Sequence, residues 1–202
     1  MATDAQKTNA HIIIHSSAIA AATWSGASAI LPGISVITDT AGSMVITGAM
    51  AYALSNVFGR KVDESSITSF VTVVVGRGIA EIALKGFFSF IPILGSATNA
   101  AITFGLTEAI GWSLVLIFES GRDLGSLSKE EIAVFLQRGK SYADQVKQSG
   151  EFAWIDHLPP HIKAQYDYLT HKLGDKSLSN EERLATLKEI EELIAPYNPK
   201  NK

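Results

Sequence analysis

Two histidines four residues apart, His11 and His15, are the first residues in the chain whose types and spacing suit chemistry. An i, i+4 pair lies on one face of a helix, where two imidazoles can share a metal ion. No Asp, Glu or further His follows nearby to complete a ligand set. The pair is therefore read as a polar patch at a helix start, and no metal is expected. His157 and His161 flank Pro159-Pro160 and so do not share a regular helical face. Asp39 and Glu108 are isolated acids in the two most apolar stretches of the chain. An ionisable group in such surroundings needs a partner. Arg77 is the natural one, with Lys85 second, and a polar contact joining two segments is favoured over proton or ion translocation.

Nothing else in the chain suggests catalysis. There is no P-loop pattern and no serine in a nucleophile elbow. Cysteine is absent, which removes thiol chemistry, disulfides and thiolate-held metals together. The net charge of −3 gives no basic excess to recommend nucleic acid as a partner. A non-enzymatic protein without a cofactor is the reading these residues support.

The elements that would position these residues are helical throughout. Four apolar stretches, roughly 10–30, 32–58, 67–90 and 92–118, precede Gly121. Each is long enough to cross a hydrocarbon core of about 30 Å as a helix. Pro32 and Pro92 stand where new helices begin, and Asp63, Ser65 and Ser66 offer an N-cap for the third. An internal repeat at an offset of 60 residues aligns Pro32 with Pro92, Thr47 with Thr107, Ala49 with Ala109 and Leu54 with Leu114. These matches predict two tandem apolar helical hairpins. Their tips are apolar, and Phe87, Phe88, Phe90 and Ile91 suit insertion among acyl chains better than a solvated turn.

Charge marks the boundary between two expected domains. Residues 1–121 carry 12 charged side chains, whereas 122–202 carry 25 in a shorter stretch. The first part is read as a membrane-associated hairpin module and the second as a soluble tail of amphipathic helices. In the tail, Ser128 with Glu131 is a capping box. A second helix starts near Pro159-Pro160 and ends at Gly174, and a third is capped by Ser179 or Asn180 and stops before Pro196. With both hairpins pointing one way, Lys7, Arg60, Lys61, Arg122 and Lys129 share one side. That is the positive-inside pattern of a bacterial inner membrane with the tail in the cytoplasm. The N-terminus lacks the features of a secretory signal, so attachment is expected from the apolar segments themselves.

Residues of about 10–121 also resemble a bacterial domain of unknown function that is attached to, or encoded beside, GTPases and that occurs in a family of inner-membrane proteins. The resemblance rests on Pro32 with Asp39, Ile91-Pro92-Ile93-Leu94-Gly95, Thr107-Glu108-Ala109-Ile110-Gly111 and Phe118-Glu119-Ser120-Gly121. It implies a helical membrane-associated module serving a GTPase as anchor or effector, the GTPase being here a separate polypeptide. The function expected is thus a non-enzymatic membrane adaptor or anchor, with membrane lipid and a GTPase as partners. Two alternatives stand beside it: a self-assembling, pore-forming, toxin-like or membrane-remodelling protein acting as a homo-oligomer, and a soluble helical scaffold.

Overall fold

The computed structural model describes residues 2–27, 40–75 and 99–201. Among them the chain forms seven α-helices and no strand: α1 (Asp4–Ala27), α2 (Thr40–Val57), α3 (Glu64–Val75), α4 (Asn99–Ser120), α5 (Lys129–Ser149), α6 (Pro160–Leu173) and α7 (Asn180–Ile194). The all-α class is as the sequence indicates.

Helix ends follow local chemistry. Asp63 caps α3, accepting a 2.8 Å bond from the Ser66 amide. Reciprocal capping boxes start α5 at Ser128 and Glu131 and α7 at Ser179 and Glu182. Gly150, at φ 64°, closes α5 in the left-handed conformation that glycine adopts without steric cost. Pro160 opens α6, and Gly174 ends it.

α1 is the central element, packing on α2, α4, α6 and α7. α4 lies between α1 and α5 at close range. A Cβ on Gly111 would come within 2.5 Å of Ile14, and one on Gly139 within 2.5 Å of the Ser113 backbone nitrogen. These two glycines set how nearly α4 approaches α1 on one side and α5 on the other. α3 rests on α2 and on the turn Leu124–Ser126. Of the expected hairpins, α1 lies along α2, and much of the second, residues 76–98, falls outside the described residues.

The helix order brings ends together. α1 and α2 run antiparallel, with Trp24 against Gly42 and Gln6 donating to the Val57 carbonyl. α1 and α4 are antiparallel too, with His15 opposite Glu108 and the Ala2 amide on Glu119. The end of α1 and the starts of α2 and α4 therefore share one pole. At the other, Arg60 donates to the Phe118 carbonyl at 2.7 Å.

One core serves both compositional halves. It joins Ile14, Leu54, Trp112 and Phe118 to Ile132, Leu136, Leu173 and Leu187. A smaller cluster sets Ile12 among Ile155, Leu169, Ile190 and Ile194. This packing corrects the expectation of transmembrane helices, and with it that of a bacterial inner-membrane location. Among the described residues no helix is long and apolar enough to cross a membrane. The apolar faces of α1 and α4 are instead covered by the amphipathic stripes of α5, α6 and α7.

Candidate functional site

Two features of the described residues combine chemistry with access. The first lies where α1 crosses α4. His15 donates from Nδ1 to Glu108 Oε1 at 3.1 Å, a pairing that fixes the tautomer because a carboxylate only accepts. Both residues are partly buried. One turn earlier His11 is 7% exposed, stacked on Phe152 with ring centroids 4.0 Å apart and on His15 at 5.4 Å. Its other neighbour is Trp112, at 6.1 Å, which itself packs against Tyr142 of α5. The edge of Phe104 meets the His15 face at 5.4 Å. Burial, and then the neighbouring His15, push the His11 imidazole down to about 3, so it is neutral at ordinary pH. His11 Nδ1 and Trp112 Nε1 are both buried without a hydrogen-bond partner among the described residues.

Glu108, the isolated acid of the fourth apolar stretch, therefore meets His15. Asp39 and Arg77, the other members of the expected polar set, lie outside the described residues, as do Lys85 and the tip residues Phe87, Phe88, Phe90 and Ile91. The histidine pair gains a carboxylate from a helix 93 positions away, which no local spacing reveals. Among the described residues no group of three or more His, Asp or Glu is arranged to hold a metal. What this cluster does is join α1, α4, α5 and the segment at Phe152 through one polar contact and a set of packed rings.

The second feature is an open groove of about 560 Å³ over α2, walled by α3 and the start of α7. Its floor is Val45, Gly48 and Tyr52, its walls Ile67 and Val71 on one side and Leu184 on the other. Val45 is 36% exposed, and a Cβ placed on Gly48 would meet nothing within 4 Å. The floor is thus an apolar notch that no part of the described chain fills. The charged side chains lining it are Glu64 and Glu181, one on each wall, both exposed. Sequence reasoning did not single out this groove. Gly48 in the middle of a helix was the signal available, since glycine weakens a helix interior unless something needs the space.

Compared with known proteins, the chain matches no protein family, no curated protein and no solved structure. Among the described residues the fold is a helical bundle, and this apolar trough is open on its flank.

Proposed function

We propose that this chain is a non-enzymatic helical adaptor that takes part of a partner protein into the groove between α2, α3 and α7. The observation that carries this reading is the partly exposed floor of Val45, Gly48 and Tyr52 between two helical walls. Bundles present such apolar grooves to helices of other proteins, where a few buried side chains supply most of the affinity. The polar residues of the α1–α4 crossing support the same reading, because His15 and Glu108 satisfy each other and His11 is buried neutral against aromatic rings. The resemblance of residues 10–121 to a GTPase-associated domain makes a separately encoded GTPase the first partner to test.

The test is affinity capture with the native chain and with Gly48→Leu in parallel, followed by identification and rebinding of each retained protein in purified form. A partner that binds the native chain and is lost with Gly48→Leu supports the adaptor. Partners retained equally by both would defeat it.

A further inference from the structure

Resting on the adaptor reading, we infer that the occupant of the groove is an amphipathic helix with basic residues flanking its apolar stripe. Three observations lead there. The floor runs from Met44 to Tyr52, eight helical rises, or about 12 Å at 1.5 Å per residue. A partner stripe at i, i+3 or i+4, and i+7 spans about 10.5 Å by the same rise, so three apolar side chains of one helix fit that length. Gly48 sits midway along the floor with open space above it, which suits the central of the three.

The rim then fixes the charge. Glu64 projects from the first turn of α3 and Glu181 from the first turn of α7, so a carboxylate stands on each side of the trough. No Lys or Arg is among the lining residues. A helix whose apolar face lies on Val45 and Tyr52 turns its two flanks toward these acids. Lys or Arg at those flanks meets opposite charge on both sides, whereas Glu or Asp there is repelled twice. The pairs are exposed and contribute modestly to affinity, so their main effect is to select the partner and speed encounter.

Fluorescence anisotropy with designed helical peptides of about 18 residues tests this directly. Two peptides share one leucine stripe and differ only in carrying Lys or Glu at the flanking positions. The basic peptide is expected to bind the full-length chain at least about tenfold more tightly than the acidic one. Raising the salt from about 50 to about 500 mM should narrow that difference severalfold. The double reversal Glu64→Lys with Glu181→Lys should remove or invert the preference. Gly48→Leu should weaken both peptides at least about tenfold while melting no lower than the native chain, because leucine favours a helix interior over glycine.

Equal binding of the two peptides, lost in Gly48→Leu, would overturn the basic-helix inference and leave the adaptor reading standing. Binding untouched by Gly48→Leu, or none at all, would overturn both. Self-association of the native chain that Gly48→Leu abolishes would assign the groove to a second copy and overturn the inference.

Discussion

His11 connects a single ring to the acid stability of the whole bundle. Its folded-state pKa is pushed down to about 3 by burial and by His15, whereas an unfolded histidine titrates near 6.5. Between those values the unfolded chain binds a proton that the folded chain does not, so stability falls as pH falls through that window. Taking pH from 7 to 5 should cost the native protein about 2 kcal/mol more than it costs His11→Phe. Urea midpoints of both proteins at the two pH values measure this, and parallel losses would refute it. Arg183 makes a comparable claim at the other end of α1. It is 1% exposed and donates to the carbonyls of Leu173, Asp175 and Leu178, tying the end of α6 to the start of α7. Arg183→Ala leaves those oxygens without their cation and should lower unfolding free energy by about 3 kcal/mol. Arg183→Lys should recover only part of that, because an ammonium cannot reach three acceptors through a planar fork. Denaturant unfolding of the three proteins reads both effects. Sequence showed little of this. His11 and His15 look like a polar helix start when the helix is begun at Ala10. Thr3 and Gln6 in fact exchange bonds at the start of α1 in a capping box, which places His11 two turns inside the helix. That signature was available in the sequence, whereas the arrival of Phe152 and Glu108 was not.

Two glycines separate helix propensity from packing at the scale of elements. Gly48 and Gly139 both lie in helix interiors, α2 and α5, where alanine is intrinsically better by about 1 kcal/mol. At Gly48 the added methyl enters open space, so Gly48→Ala should raise stability by up to about 1 kcal/mol. At Gly139 it meets the backbone of Ala109 and Ser113, and α5 must move away from α4. Overpacking of this kind typically costs 1–3 kcal/mol, so Gly139→Ala should destabilise despite its better propensity. Thermal melts of the two variants should move in opposite directions, and a shared direction would show that these contacts do not decide the outcome. Helix starts and stops were the most legible feature of the chain. Asp63, Ser128, Ser179, Pro160 and Gly174 all act where their types and neighbours indicate, because capping is a contact within one turn. Which helix lies on which was not legible. The settling of α3 on α2 and on Leu124–Ser126 depends on contacts across loops, which no local pattern reveals.

For the whole molecule, the sequence posed the right question: what covers so much apolar helix. The abrupt rise in charge after Gly121 suggested separate fates for the two halves, lipid for one and water for the other. Yet an amphipathic stripe states only that it needs a partner, not which one. Leu136 and Leu187 find theirs in the core that also holds Leu54 and Trp112, and Ile190 and Ile194 surround Ile12. The basic residues Arg60 and Arg122 do lie near one pole, where Arg60 bonds Phe118 and Arg122 pairs with Glu131, so their clustering reflects where the chain turns. The resulting mutual dependence has a consequence for the fragment 122–202. Within it only α6 and α7 pack closely on each other, while α5 lies on α4 and both α6 and α7 lean on α1. Isolated helices of 14–21 residues with unmatched apolar faces are marginal in water. Expressed alone, residues 122–202 should show weak helicity and a broad, non-cooperative melt by circular dichroism. The full chain should unfold in one transition that takes both halves together. A sharp cooperative melt of the fragment would mean that the charged helices hold their own core, and that the change of composition at Gly121 marks an independent domain.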